Sequence, residues 1–158
     1  MSFRVHLALP LALSLAAACG SDSTAPSAPT IETTTFAPSL GIDLTTFTKN
    51  ANGLYFKELV TGTGTLAQDG RQVGVRYKGQ LSDATVFDEN PPPKALFSFL
   101  LGSGQVVPGF DQGTRGMRVG GKRQVILPPS LGYGSRGSGG SIPPNAILIF
   151  TIDLVTAQ

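Results

Sequence analysis

The chain is 158 residues long, with 12 Lys and Arg against 10 Asp and Glu, one histidine and one cysteine. That is room for one globular domain plus a small addition, and a formal charge of +2 gives no electrostatic case for nucleic acid. The lone histidine, His6, and the lone cysteine, Cys19, both sit near the amino terminus, so the remainder cannot build a Ser-His-Asp triad, a Cys-His pair or the usual zinc sets.

Met1 to His6 carries Arg4, and Leu7 to Ala18 is apolar except for Pro10 and Ser14. A positive start, an apolar core too short to span a bilayer and small residues at its end have the layout of a secretory signal over residues 1–18. Ala16-Ala17-Ala18 fits an ordinary small-x-small cut. Cys19 directly after it, followed by Gly20-Ser21-Asp22-Ser23-Thr24, resembles a bacterial lipobox, with Ala16 where a leucine is usual and Leu15 one place further back. That resemblance implies a lipidated Cys19 as the first mature residue and an exported protein anchored by lipid at the cell envelope, periplasmic or outer-membrane. Gly20 in place of a retaining aspartate favours the outer membrane. A disulfide has no second cysteine to use. Several acyl chains anchor stably, because each buried methylene contributes about 0.8 kcal/mol. Loss of Arg4 with the signal leaves the mature chain nearly neutral.

Gly20 to Leu40 is rich in Ser, Thr, Ala and Pro and poor in charge, the composition of a solvated tether, so residues 19–50 read as a lipidated terminus and flexible linker. Ile42, Leu44 and Phe47 fit either a docked helix or the linker's end. A folded domain is expected over residues 51–158. Leu54 to Val60 is apolar enough for a strand, and Thr61-Gly62-Thr63-Gly64 ends it. Gln72 to Leu81 alternates Val73, Val75 and Tyr77 with Arg76 and Lys78, the pattern of a half-buried strand. Thr85 to Asp88 resumes after a turn, Pro91-Pro92-Pro93 forces a loop, and Leu96 to Leu101 puts Phe97 and Phe99 on one face. Pro108 is preorganised for the first turn of a short helix bearing Phe110 and ending near Gly113 or Gly116. Lys122 to Leu127 and Ala146 to Val155 are two further strands, and the glycine-rich connection between them, Pro128 to Pro144, is long enough to be a flap or to be disordered. The expected class is α+β, an antiparallel sheet with one short helix.

The glycine clusters do not bind phosphate by any familiar rule. Gly102-Ser103-Gly104 lacks the third glycine of a dinucleotide fingerprint, and Gly120-Gly121-Lys122-Arg123 lacks the Walker spacing and its Ser or Thr. Asp83, Asp88, Glu89 and Asp111 have no spacing that makes paired carboxylates converge. There remain aromatics on strand and helix positions: Tyr77, Phe87, Phe97, Phe99, Phe110, Tyr133 and Phe150. Such residues build a core more often than a site, and composition does not separate the two.

The motifs do more. Val75-x-Tyr77-x-Gly79, Phe87-Asp88, Phe97-x-Phe99-x-Leu101-Gly102, Gln105-Val106-Val107-Pro108-Gly109-Phe110, Gly116-Met117-x-Val119-Gly120, Pro128-x-x-x-Gly132-Tyr133-Gly134 and Ile142-Pro143-Pro144-Asn145-Ala146-x-Leu148-x-Phe150 stand in this order. The chain from about Gly53 to Gln158 thereby resembles the FKBP-type peptidyl-prolyl cis-trans isomerases. The resemblance implies a curved five-stranded antiparallel sheet wrapped around one short helix. It implies a pocket lined by Tyr77, Phe87, Phe97 and Phe150, floored by Phe110, edged by Val106 and Val107 and closed by Ile142. Asp88 and Tyr133 would be its catalytic polar groups, Tyr133 donating its hydroxyl and Asp88 orienting, and the Val107 N–H would hold a substrate carbonyl. A carboxylate satisfied by Tyr77 is the plainer reading of Asp88, and the two roles coexist. Phe110 stands where well-known eukaryotic members have tryptophan, Pro93 where an arginine commonly pairs with the aspartate, and Ser138 and Ser141 where the flap is often bulkier. These departures bear on macrolide affinity.

The implied reaction needs no histidine, metal or cofactor. Rotation about an Xaa-Pro bond breaks no covalent bond, and its barrier, about 18 to 20 kcal/mol for peptide bonds generally, comes from amide resonance. A dry cavity supports the dipolar planar amide less well than water, and fixed donors favour the twisted form. The implied partners are proline-containing peptides, unfolded exported proteins and immunosuppressant macrolides. The short tether offers no dimerisation helix, so a monomer is expected. The competing reading is a module that binds proline segments or unfolded chains without turning them over.

Overall fold

The computed structural model describes residues 28–158; the signal segment and Cys19 lie outside them. Among the described residues are seven strands and one α-helix: β1 (Thr48–Lys49), β2 (Tyr55–Val60), β3 (Gln72–Gln80), β4 (Val86–Glu89), β5 (Phe97–Leu100), α1 (Pro108–Thr114), β6 (Lys122–Leu127) and β7 (Leu148–Ala157). The sheet is antiparallel in the order β1-β2-β6-β7-β3-β4, with β5 also on β3.

The class is the expected one, but the strand number is not five. β5 pairs the first half of β3, through Val73 with Phe99, and β4 pairs its second half, through Gly79 with Asp88. They are two pieces of one interrupted edge. Pro91, Pro92 and Pro93 separate them, and proline has no N–H to give a ladder. β1 adds a further edge by pairing Thr48 with Phe56 and Lys49 with Tyr55.

Helix α1 lies on the inner face of β6 because two glycines four residues apart let it come close. A Cβ on Gly109 would sit 2.5 Å from Leu127 Cδ2, and one on Gly113 would sit 2.9 Å from Val125 Cγ1. Pro108 occupies the first turn, where its missing N–H costs no hydrogen bond. At the other end the buried Arg123 guanidinium donates to the carbonyls of Gly113 (2.8 Å) and Arg115 (2.9 Å) and pairs with Glu58, satisfying groups a short helix leaves open. The buried Asp111 carboxylate accepts from the Gly102 N–H at 2.7 Å and from Arg115 at 3.0 Å, tying the loop after β5 to the helix. The inner core is continuous from Val73, Val75 and Phe99 through Val125, Leu127 and Ile152 to Phe110.

The outer face carries a second apolar cluster, which corrects the linker expected through residue 50. Ile31 (2% exposed), Leu40 and Phe47 are buried against Tyr55, Ile126, Ile147 and Ile149, with Phe36, Ile42 and Leu44 at its margin. The segment runs through three short 3-10 turns, Ile31–Thr33, Pro38–Leu40 and Leu44–Thr46. Its apolar residues follow neither a 3.6- nor a 2-residue period, so a polar composition conceals its packing. The Gln124 amide donates to the Leu40 carbonyl at 3.2 Å, and Glu32 accepts from Lys49 (2.6 Å) and Tyr55 (2.7 Å). The glycine-rich connection before β7 is likewise folded, into 3-10 turns at Pro129–Leu131 and Gly134–Arg136 and a Ser138–Ile142 bridge.

Candidate active site

Period-two alternation on β3 sends Val73 and Val75 into the core and Tyr77 to the rim of a cavity at the start of the helix. Gly79, next on that face, is open for a reason: a Cβ there would meet Phe87 Cζ at 2.6 Å and Phe150 Cε1 at 2.9 Å. Its absence lets these two rings meet edge to face at 5.4 Å. On β5 the same alternation gives Phe97 to the cavity and Phe99 to the core.

Phe110, 4% exposed, is the floor. Its ring centroid lies 5.0 Å from that of Phe150, 5.5 Å from Tyr77 and 6.4 Å from Phe97, all steeply inclined. The cavity holds about 330 Å³, and Tyr77, Phe87, Asp88, Phe97, Gln105, Val106, Val107, Phe110, Tyr133 and Phe150 line it. Every expected site residue among the described residues is therefore brought together except Ile142. That residue is buried in the inner core, held by an isolated bridge in which Ser138 N–H donates to Ile142 O (2.9 Å) and Ile142 N–H to Ser138 O (3.0 Å), and it is not among the residues that line the cavity. Gln105 is the lining residue that sequence reasoning left out as a site residue. Its Oε1 accepts from the Leu100 N–H at 2.9 Å and so closes the loop carrying Val106 and Val107. The signal was its place in the Gln105-Val106-Val107-Pro108 run.

The polar groups are few. Tyr77 donates its hydroxyl to Asp88 Oδ2 at 2.6 Å. Burial, and then the adjacent carboxylate, push the Tyr77 phenol well above its ordinary value of 10, so it remains a donor through the neutral range. Asp88 forms no salt bridge among the described residues. The nearby Arg76 instead donates to Asn90 Oδ1 at 2.9 Å and to the Lys94 carbonyl, bracing the proline loop. Tyr133, 39% exposed, stands at the mouth with its hydroxyl unpaired among the described residues. The Val107 carbonyl accepts from Phe110 N–H (3.0 Å) and Asp111 N–H (3.2 Å), while the Val107 N–H has no partner among the described residues. The arrangement is an apolar box with one internal hydrogen-bonded pair and two donors at its edge. Among the described residues that line it, no nucleophile and base stand in register for bond cleavage.

An antiparallel sheet, one short helix packed on it and an aromatic cavity at the helix start define the class, and comparison with known proteins agrees. A family model described as FKBP-type peptidyl-prolyl cis-trans isomerase matches residues 64–155. The "FK506-binding protein" of Neisseria meningitidis serogroup B is 42% identical over 103 residues, which is 65% of this chain and 94% of that protein. The Arabidopsis thaliana "Peptidyl-prolyl cis-trans isomerase FKBP53" is 43% identical over 141 residues, 87% of this chain, but this chain spans only 29% of its length. A crystal structure of a peptidyl-prolyl cis-trans isomerase from Pseudomonas syringae pv. tomato superposes with a TM-score of 0.64 at 31% identity, over 72% of this chain and 81% of that one. The chain belongs to the FKBP-type peptidyl-prolyl cis-trans isomerase family.

Proposed function

We propose that this chain is an active peptidyl-prolyl cis-trans isomerase that binds the proline ring against Phe110 and turns the preceding amide within the aromatic box. The observation that carries this reading is the composition of the cavity: five aromatic walls and floor, one satisfied Tyr77–Asp88 pair, and donors only at the mouth. Apolar walls withdraw solvent support from the dipolar planar amide. The Val107 N–H holds a carbonyl of the substrate chain, and the Tyr133 hydroxyl donates to a second. Asp88 acts through Tyr77, fixing the ring that forms one wall. Each tenfold in rate needs only about 1.4 kcal/mol of preference for the twisted amide, within reach of desolvation and a hydrogen bond or two.

The same proposal places the enzyme outside the cytoplasm, anchored through a lipidated Cys19 at the bacterial envelope, a monomer whose substrates are exported chains with slow proline steps. The lipobox-like run at the amino terminus supports the location. The isomerase reading is tested on a proline-limited refolding reaction and on a short Xaa-Pro peptide. Acceleration by the wild-type chain supports it, and peptide binding without acceleration favours a non-catalytic proline-binding module instead.

A further inference from the structure

The family match begins at residue 64, yet the segment ahead of it touches both stretches that frame the cavity mouth. The Ala37 N–H donates to the Ser82 carbonyl at 2.8 Å. Ser82 lies in the turn that Leu81 N–H closes on Thr85 O at 2.9 Å, and this turn feeds β4 with Phe87 and Asp88. On the other side, Ile147 is buried against Ile31, Leu40 and Phe47. Two residues before it, the Asn145 N–H donates at 2.8 Å to the carbonyl of Gly134, which follows Tyr133 in the chain. A cavity of about 280 Å³ is bordered by all three segments, through Pro29 and Thr34, Leu81 and Ser82, and Asn145 and Ile147.

Backbone conformation marks the same two places. Among the described residues only Ala84 (φ 71°) and Asn145 (φ 57°) are non-glycine residues in the left-handed region. That conformation is unfavourable for an L-residue with a Cβ, less so for asparagine than for alanine, and persists where its surroundings hold it. Ala84 packs against the outer cluster that the amino-terminal segment completes, and in the chain Asn145 stands two residues before Ile147, which is buried in that cluster. Ala84 is thus held from the outer face by the cluster that residues 31–49 complete, while Asn145 borders the same cavity as Thr34.

We propose that residues 31–49 are a positioning element of the active site, bracing the β3–β4 turn and the foot of the Tyr133 connection so that Asp88 and Tyr133 face one another across the cavity. As to catalysis, this rests on the isomerase reading. As to structure, it stands separately. Without the brace, Ala84 relaxes out of the left-handed region, the turn swings, and the wall formed by Phe87 and Asp88 moves.

The test uses the full chain and three variants. Ile31→Asp removes the apolar plug. Ala37→Pro deletes a single N–H at a residue whose φ of −58° already suits proline. Ala84→Gly, added to either, removes the penalty of the left-handed conformation. Backbone amide exchange is measured together with kcat and KM on an Xaa-Pro peptide. The expected result is exchange at least tenfold faster at 81–89 and 134–147 with β6 and α1 unchanged, a KM raised about fivefold, and recovery of at least half of that loss on adding Ala84→Gly. Faster exchange confined to 28–49 would overturn the proposal, as would a uniform increase across the domain, which reports stability alone. If the wild-type chain fails to accelerate isomerisation, the isomerase reading falls while the exchange pattern still decides the positioning claim.

Discussion

At the scale of single residues, the proposed isomerase reading separates groups that shape the cavity from groups that would touch the substrate. Tyr133 belongs to the second kind: its hydroxyl is at the mouth and holds up nothing else among the described residues. Tyr133→Phe removes one neutral hydrogen bond, worth about 0.5 to 1.5 kcal/mol, so kcat/KM should fall roughly 2- to 13-fold with the melting temperature unchanged. Asp88 is different, because Tyr77 donates to it at 2.6 Å. Asp88→Ala leaves a half-buried phenol unpaired at a cost of about 1 to 3 kcal/mol, so stability and rate should fall together, and Tyr77→Phe in the same chain should restore part of the stability. Gly79→Ala is expected to push Phe87 and Phe150 apart, since its Cβ would lie 2.6 Å and 2.9 Å from their rings. Peptide affinity should drop in titration even though the new side chain is the smallest available. Strand alternation and the proline-led helix put the aromatic rings on predictable faces, but it was the resemblance to the family, and not the alternation, that marked them as a site rather than core. The place of Ile142 was not legible in the sequence, because whether it closes the cavity or plugs the core depends on the Ser138–Ile142 pairing within a glycine-rich loop that has no period.

At the scale of elements, long periodic stretches such as β3 and β7 were readable, and the aperiodic segment ahead of β1 was not. Ile31, Leu40 and Phe47 are separated by 3-10 turns, so their common burial is a tertiary fact with no local signature. Phe47→Ala should destabilise the chain by about 3 kcal/mol if the segment is part of the folded unit, as chemical denaturation would report, and by almost nothing if it is a tether. Its outer end is also sensitive to acid. Hydrogen bonds from the Lys49 ammonium first, and then from the Tyr55 hydroxyl, hold the Glu32 carboxyl down to about 2 from an ordinary 4.5. A carboxyl depressed in the folded state contributes above its ordinary value, and the contribution fades as pH falls from about 4.5 towards 2. Carboxyl NMR of Glu32 should therefore titrate near the lower value, and Lys49→Ala should move the inflection upward. The broken edge formed by β4 and β5 was half legible: the three prolines announced the interruption, but not that both pieces return to the same strand.

At the scale of the whole molecule, one sheet serves two purposes. Its inner face, with α1, builds the aromatic cavity, and its outer face receives the amino-terminal segment. Anchoring through Cys19, if the proposed location holds, places the tether next to the segment that braces the pocket; Cys19→Ala should then move the protein from the membrane to the soluble fraction of cells without changing the activity of the purified domain. The central claim is that the cavity rotates proline bonds without acid, base or metal. The most direct measurement is the rate of cis-to-trans relaxation of an Xaa-Pro peptide, followed by NMR exchange spectroscopy so that no protease is needed. Micromolar chain should raise that rate well above the uncatalysed one, which lies on the scale of tens to hundreds of seconds, and should do so equally in a metal chelator. A relaxation rate indistinguishable from buffer alone, with the chain folded, would contradict the account.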